Sequence, residues 1–146
     1  MQVANVELGN PERAQEVADR AAAVLREGGL VVFPTETVYG VAASAGSVAG
    51  VEALRALKTG GQPKAFTVHL PDAAAAQRSA DTDTTPSLQR LVRKVFPGPV
   101  TLVIELDDAT ISEKLAGLGL PEEARDRLYH HGAVSLRCPD HPVTQR

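Results

Sequence analysis

The spacing of apolar residues changes several times along the chain, and each change predicts a new element of secondary structure. Helical spacing, caps and turn residues predict helices at 11–27, 48–58, 71–78, 87–96 and 121–129. Short runs rich in β-branched residues predict strands at 30–33, 65–70, 100–106 and 133–138. Because strands and helices alternate without an internal repeat, the pattern predicts an α/β or α+β fold.

Two of the predicted helices have start signals that are typical of N-termini. Asn10 followed by Pro11 suits the cap and the first turn of the first helix, and Ser47 can cap the second. The inner face of the second helix is expected to consist of Val48, Val51, Leu54 and Leu57.

The strand at 30–33 leads into a loop that is rich in polar side chains. The strand is short and apolar and ends at Pro34, which favours a buried strand. Open α/β sheets place their ligands beyond the carboxyl ends of strands, so this loop is a candidate binding segment. The same spacing also fits a capped turn, with a threonine as N-cap, and both interpretations stay open. The polar residues of the loop are Thr35, Glu36, Thr37 and Tyr39.

Length, composition and charge limit the function classes. A chain of 146 residues and 15.4 kDa predicts one domain spanning residues 1–146. The net charge of -3 gives no global attraction to nucleic acid, although local basic clusters remain. A single cysteine, Cys138, excludes an internal disulfide and is expected to be a small core residue. With no transmembrane run and no signal pattern, we expect a cytoplasmic protein without membrane contact.

Common catalytic and nucleotide-binding motifs are absent from the sequence. It contains no phosphate-binding loop ending in Gly-Lys-Ser/Thr, no Gly-x-Gly-x-x-Gly after a strand and no Gly-x-Ser-x-Gly elbow. No two of the four histidines stand four residues apart with a carboxylate beside them, as in a zinc-binding helix, so no metal site is predicted. The histidines are His69, His130, His131 and His141.

Cations near the ends of predicted elements are the positive signal for a ligand site. Lys58 and Lys64 flank a glycine turn, and Arg137 lies near the carboxyl end of the last strand. Lysine suits a polyphosphate, and the arginine fork suits a carboxylate or phosphate. Each of these residues also fits a solvated surface charge. His69 fits either a hydrogen-bonded core histidine or a ligand contact.

Four segments in their order and spacing resemble the YrdC-like family of threonylcarbamoyl-AMP synthases, within the TsaC/Sua/YrdC/YciO/YwlC superfamily. The resemblance extends from about Ala14 to Arg146 and is most specific in the first and third segments. The segments are FPTETVYG at 33–40, LK at 57–58 with KAFTVH at 64–69, FPGPVTL at 96–102, and VSLRCP at 134–139.

The resemblance implies a twisted mixed sheet, flanked by helices, with a concave positive cleft. It also implies a nucleotidyltransferase that condenses L-threonine, bicarbonate or CO2, and ATP into threonylcarbamoyl-AMP and pyrophosphate. This is the first step of N6-threonylcarbamoyladenosine synthesis in tRNA. Mg²⁺ is the expected ion, and double-stranded RNA or tRNA-modification proteins are the expected further partners.

The resemblance also assigns roles to individual residues of the threonine site. Thr37 would contact the substrate threonine, with Thr35 beside it, and His69 would be a further threonine contact. Arg137 would hold the threonine carboxylate, for which a bidentate fork is better suited than lysine.

A second set of residues is implied for ATP. Lys58 would face the phosphates, and Lys64 would contact ATP. Ala133 falls at a position that would contact the nucleotide through its backbone. Lys58 and Arg137 are the candidate catalytic residues, because the chemistry requires positioning and charge neutralisation.

The chain departs from the family pattern at two places. Gly60 stands where the family has an arginine, and the family's Ser-x-Asn motif would fall beyond Arg146. We therefore expect a domain that is truncated at its C-terminus. Two alternatives accompany the synthase hypothesis: a non-catalytic module that binds nucleotide or double-stranded RNA, and a carbamoyl-adenylate-forming relative.

Overall fold

A computed structural model describes residues 2–6, 9–57 and 66–145, which fall into two compact units. The first unit comprises residues within 1–59 and 141–146, and the second comprises residues within 60–140. Each unit is described by itself, and the prediction of one domain over residues 1–146 stays a prediction. No helix within the described ranges is long and apolar enough to cross a bilayer.

The first unit contains two helices and a hairpin. They are α1 (Pro11–Arg26), β1 (Val31–Phe33), β2 (Gly40–Ala42) and α2 (Val48–Leu57). The Asn10 side chain accepts a hydrogen bond from the backbone N–H of Arg13 at 3.0 Å, and the Ser47 hydroxyl accepts one from Gly50 at 3.1 Å. Both predicted caps are therefore confirmed. Gly28 has φ +82°, a conformation that favours glycine, and it follows directly on the last turn of α1.

In the first unit, the prediction of a buried strand at 30–33 is wrong, and one strand is not predicted at all. β1 pairs with β2 in an antiparallel hairpin in which Val32, opposite Val41, is 61% exposed, so β1 is not a buried strand. Its partner in the hairpin is β2, which the sequence pattern does not predict because β2 is only three residues long and begins with glycine.

The inner face of α2 is also narrower than predicted. Val51 and Leu54 are 4% and 6% exposed, whereas Val48 and Leu57 are 58% and 63% exposed. Val48 and Leu57 are the first and last residues of this helix. The packing therefore uses only the middle of the apolar stripe.

The second unit is built around a mixed sheet. Its elements are β3 (Thr67–His69), α3 (Ala76–Ser79), α4 (Pro86–Val95), β4 (Leu102–Glu105), α5 (Asp108–Gly117), a 3₁₀ turn (Glu122–Ala124), α6 (Arg125–Leu128), β5 (Tyr129–His130) and β6 (Ala133–Arg137). β6 is central: it pairs in parallel with β3 and antiparallel with β4 and β5. The predicted mixed sheet with helices is thus confirmed.

The region between β4 and β6 differs from its predicted structure. The sequence pattern does not predict α5, whose apolar stripe within the helix is narrow and depends on Ile111 and Leu115, each 1% exposed. α5 begins at Asp107, which accepts a hydrogen bond from the N–H of Thr110 at 2.7 Å. That bond and the Thr110 hydroxyl lower the pKa of the Asp107 carboxyl.

The prediction of a single helix at 121–129 is wrong. The segment is a 3₁₀ turn followed by the short α6, and it becomes extended at Tyr129, where β5 begins. The pairing of Tyr129 with Val134 in β6 explains this change, because a strand partner competes with continued helix.

One side of the second unit's sheet forms its core, and we call it the packed face. Residues that pair across neighbouring strands share a face, and Val134 and Leu136 of β6 are both 0% exposed. Cys138 is also fully buried, as predicted. The packed face consists of Val68, Leu102, Ile104, Tyr129, Val134 and Leu136.

Candidate functional site

The opposite side of the same sheet carries most of the candidate site residues, and we call it the open face. Side chains alternate across a strand, so Ala133, Ser135 and Arg137 lie on the side away from the packed face. Their directly paired neighbours share that side. The open face consists of Thr67, His69, Val103, Glu105, His130, Ala133, Ser135 and Arg137. Its polar groups lie on short strands whose other side is fixed by the core.

His69 and Arg137 form one end of the open face. They are direct partners in the parallel pairing of β3 with β6, and the backbone N–H of Leu70 donates to the Arg137 carbonyl at 2.8 Å. The His69 side chain is exposed, with its Nδ1 atom 3.3 Å from the carbonyl oxygen of Thr67. Arg137 is half-buried, and its Nε atom is buried. The structure therefore places these two predicted residues side by side.

The carboxyl end of β6 is held by the segment that follows α4. The backbone N–H of Gly98 donates to the carbonyl of Cys138 at 2.8 Å, and Phe96 is 4% exposed. A Cβ atom at position 98 would lie 2.9 Å from the Val95 carbonyl oxygen, which favours glycine there. These contacts fix the backbone directly after Arg137.

Ala133 lies at the other end of the open face. It is the first residue of β6, four residues before Arg137, which corresponds to about 13 Å along an extended strand. Ser135 stands between them, with Thr67 as its partner on β3 and Val103 as its partner on β4. The two ends are thus separated by a middle row that carries two hydroxyl groups.

The polar loop of the first unit connects β1 to β2 and is ordered by Thr35. The Thr35 hydroxyl accepts hydrogen bonds from the N–H groups of Thr37 and Val38 at 3.2 and 3.1 Å, and it donates to the Val38 carbonyl. The Thr35 and Thr37 hydroxyls are also 3.1 Å apart. Thr35 thus orders a turn, as the capped-turn interpretation expects, but a strand and not a helix follows, so the N-cap role is wrong. Thr37 is exposed in this loop.

Both ends of this loop are fixed within the first unit. The Thr144 hydroxyl donates to the carbonyl of Pro34, which ties the 141–145 segment to the start of the loop. At the other end, a Cβ atom on Gly40 would lie 2.6 Å from the ring of Phe33, its partner in the hairpin. A larger residue at position 40 would therefore displace that ring.

The predicted site residues fall into three groups. Thr35 and Thr37 lie together in the first unit, and His69, Ala133 and Arg137 share the open face of the second unit. Lys58 and Lys64 lie outside the described residues, as does Gly60. In the part of the chain that the structure describes, no three His, Cys, Asp or Glu side chains come together as a metal-binding group.

Two ionisable residues of the open face are not among the predicted site residues. Glu105 and His130 are both exposed and both pair with Ala133, from opposite sides. In β4, Val103 and Glu105 alternate with Leu102 and Ile104. This alternation is the sequence signal that places Glu105 on the same side of the strand as Val103. The pairing partner follows only from the register of the strands.

A family model and several relatives match the chain. Residues 23–146 match the model of the Sua5, YciO and YrdC proteins, which is described as "Telomere recombination". The chain is 34% identical to the threonylcarbamoyl-AMP synthase of Mus musculus over 126 residues, which cover 82% of this chain and 44% of that protein. The identity to the Pyrococcus abyssi synthase is 37% over 134 residues, covering 90% of this chain and 35% of that protein. The chain therefore spans less than half the length of these curated relatives.

Solved structures show the same fold. Sua5 of P. abyssi, in a crystal structure with L-threonine, matches with a TM-score of 0.67 at 24% identity, covering 93% of this chain and 35% of that chain. YciO of E. coli matches with a TM-score of 0.70 at 19% identity, covering 90% of this chain and 57% of that chain. At these identities the structural likeness supports the fold and no finer statement.

Proposed function

Because the chain belongs to the Sua5/YciO/YrdC family, we propose that it is a threonylcarbamoyl-AMP synthase, a nucleotidyltransferase acting in tRNA modification. Its relatives at 34% and 37% identity carry that name. Since the chain spans less than half of their length, its substrates and activity belong to this proposal. The substrates are L-threonine, bicarbonate or CO2, and ATP.

The observation that carries the proposal is the direct pairing of His69 with Arg137 on the open face. A guanidinium group binds a carboxylate through two parallel hydrogen bonds, and the pairing with His69 of β3 holds the backbone of Arg137 at the end of β6. His69 beside it offers a ring nitrogen to the same ligand. This arrangement suits an amino acid, and the threonine complex of P. abyssi Sua5 agrees with that choice of ligand.

In the proposed reaction, the amine of threonine adds to CO2 and loses a proton to form a carbamate. A carbamate oxygen then attacks the α-phosphorus of ATP, and the bond to pyrophosphate breaks. Arg137 fixes the threonine carboxylate, and His69 contacts the rest of the amino acid. The roles of Thr35 and Thr37 as threonine contacts stay predictions from the resemblance. With the nucleotide at the Ala133 end, the reacting atoms would meet over the middle row of the open face. Positioning of this kind accounts for much of the rate acceleration in such a reaction.

The charge on the leaving pyrophosphate has to be neutralised, and Lys58 and Lys64 are proposed for that role. Mg²⁺ is the ion expected with ATP, and it would supply further neutralisation of the phosphates. The described residues do not assemble a protein ligand set for it. No residue is therefore assigned to the ion. Binding of RNA or of tRNA-modification proteins stays a prediction from the resemblance.

Pyrophosphate release tests the proposal directly. We expect the chain to release pyrophosphate from ATP only when both threonine and bicarbonate are present, and we expect omission of either to abolish release. ATP hydrolysis that is independent of threonine, or no release with all three substrates, would contradict the synthase proposal.

The non-catalytic module is the second candidate, and Gly60 favours it, because an arginine in that place would face the phosphates in the family pattern. ATP binding without pyrophosphate release would support it. Replacing Gly60 with arginine would then separate two explanations. Restored pyrophosphate release would identify the missing cation as the cause of inactivity, and continued inactivity would favour a binding role.

A further inference from the structure

The two ends of the open face differ in charge. One end has Arg137 and His69, which suit a carboxylate. At the other end, Ala133 stands between Glu105 of β4 and His130 of β5, each of which is its direct partner in the strand pairing. An acidic group and an imidazole thus flank a methyl group.

The two long side chains at this end stand on strands that are separated by β6. Neighbouring strands lie about 4.8 Å apart, so Glu105 and His130 stand on backbones about 10 Å apart, with the small Ala133 side chain between them. The alanine leaves the space between the two longer side chains open. A flat or ring-shaped group can approach the sheet there.

The Glu105 carboxylate is available to a ligand. It is exposed, and it makes no hydrogen bond or ion pair within the described ranges. A carboxylate only accepts hydrogen bonds at neutral pH, so its natural partner carries donors. The vicinal hydroxyls of a ribose are such donors, and acidic residues bind ribose hydroxyls in other nucleotide sites.

His130 is held in place by the turn that follows it. His131 and Gly132 have φ angles of 51° and 75°, and the Gly132 carbonyl accepts a hydrogen bond from Leu106 at 2.7 Å. Positive φ at both central residues is typical of the tightest hairpin turns. The His130 and His131 rings are 4.0 Å apart between centroids and tilted by 55°. Nucleic-acid bases stack on exposed aromatic rings, histidine included.

We propose that Glu105 and His130 hold the nucleoside part of ATP, with Glu105 accepting hydrogen bonds from the ribose hydroxyls and His130 stacking on the adenine. This rests on the proposed function, which puts the nucleotide at the Ala133 end. It makes both residues determinants of nucleotide specificity, on the same face as the threonine contacts.

The role of Glu105 is tested with ATP and with 2′,3′-dideoxy-ATP, which lacks both ribose hydroxyls. We expect Glu105→Ala to weaken ATP binding in calorimetry about tenfold or more, the range for a lost hydrogen bond to a charged group. The affinity for dideoxy-ATP should be unchanged. Glu113→Ala, which removes an exposed carboxylate from α5, is the control and should change neither. An equal loss for both nucleotides, or no loss, would overturn the role of Glu105.

The role of His130 is tested by comparing two replacements. His130→Ala should weaken ATP binding about tenfold, since the stacking of the base on an aromatic ring is lost, whereas His130→Phe should retain most of the affinity. Ribose 5-triphosphate, which has no base, should bind both variants as it binds the unaltered chain. If Phe behaves like Ala, or if ribose 5-triphosphate is also affected, adenine does not stack on His130.

The same measurements separate this inference from the proposed function. If the unaltered chain binds ATP and releases pyrophosphate, but the variants at 105 and 130 behave like it, only the inference fails. If the unaltered chain does not bind ATP, both fail together.

Discussion

The packed face and the open face are built from alternate residues of the same strands, yet they have opposite chemical character. Val134 and Leu136 are 0% exposed, whereas Val103 on the open face is 66% exposed. The neighbours of Val134 along the strand, Ala133 and Ser135, are half-buried, so burial changes from one residue to the next. The packed face holds the backbone of β6, and that backbone sets the positions of the open-face side chains.

The two faces should therefore respond differently to substitution. Changes on the packed face should reduce stability, because they leave cavities or unpaired polar groups in the core. Changes on the open face should reduce ligand binding while stability stays nearly constant. Paired substitutions on β6 test whether the two faces differ in this way.

The largest effect is expected for Leu136→Ala on the packed face. The side chain is fully buried, and truncation should lower the free energy of unfolding by about 2–5 kcal/mol. Urea denaturation followed by circular dichroism measures this. A loss below about 1 kcal/mol would mean that the packed face is not the core that we describe.

The next effect is expected for Arg137→Ala on the open face. Threonine binding should weaken about tenfold to a hundredfold, because a charged hydrogen-bonded partner of the carboxylate is lost. Calorimetry with L-threonine measures it, and Arg137→Lys should retain only part of the affinity. Arg93→Ala, on the exposed side of α4, is the control and should leave threonine binding unchanged. Unaltered affinity in Arg137→Ala would remove this residue from the site.

A smaller loss of stability is expected for Tyr129→Phe. The Tyr129 side chain is 2% exposed, and its hydroxyl donates to the Ser79 carbonyl at 3.0 Å. Phenylalanine keeps the ring but leaves that carbonyl unpaired, which should cost about 1–2 kcal/mol at pH 7. Urea denaturation measures the loss, and an unchanged midpoint would show that the bond contributes nothing.

The same tyrosine predicts a dependence on alkaline pH. Burial raises the pKa of Tyr129 to about 12 from its ordinary value of 10.0, and the charge of Arg125 opposes this only in part. Between these values the unfolded chain releases the phenolic proton first, so the folded state loses stability as pH rises from 10 to 12. Tyr129→Phe should lack this component. Parallel alkaline losses in both proteins would exclude Tyr129 as the group.

The smallest effect is expected for Ser135→Ala, the direct neighbour of Leu136. Ser135 is on the open face, and the change should alter the free energy of unfolding by less than about 0.5 kcal/mol. Denaturation in parallel with Leu136→Ala gives the contrast. A loss close to that of Leu136→Ala would show that the two faces are equally packed.

Much of the local structure could be predicted from the sequence. Asn10 and Ser47 form the expected caps, because a cap depends on a side chain and an N–H group three residues away. β6 was predicted from its β-branched and apolar run. α5 and β2 could not be predicted in this way, because a narrow apolar stripe and a three-residue strand depend on their packing partners.

The candidate site was predicted only as separate residues. The sequence pattern predicts His69 and Arg137 near the ends of two strands, but their pairing depends on the register of segments 68 residues apart in the sequence. The sequence pattern does not predict Glu105 and His130 as site residues, since nothing in their own segments connects them with Ala133. The role of each site residue stays a prediction that the binding experiments test.

Three features follow from the sequence alone: the alternation of β6, the helix caps and the burial of Cys138. They depend on side-chain size, on polarity and on neighbours within one turn or strand. The order and register of the strands are visible only in the folded chain: β6 lies between β3 and β4, Arg137 pairs with His69, and Ala133 pairs with Glu105 and with His130. The physical reason is that strand order and register are set by hydrogen bonds and packing between distant segments, and no local pattern specifies which strands will pair.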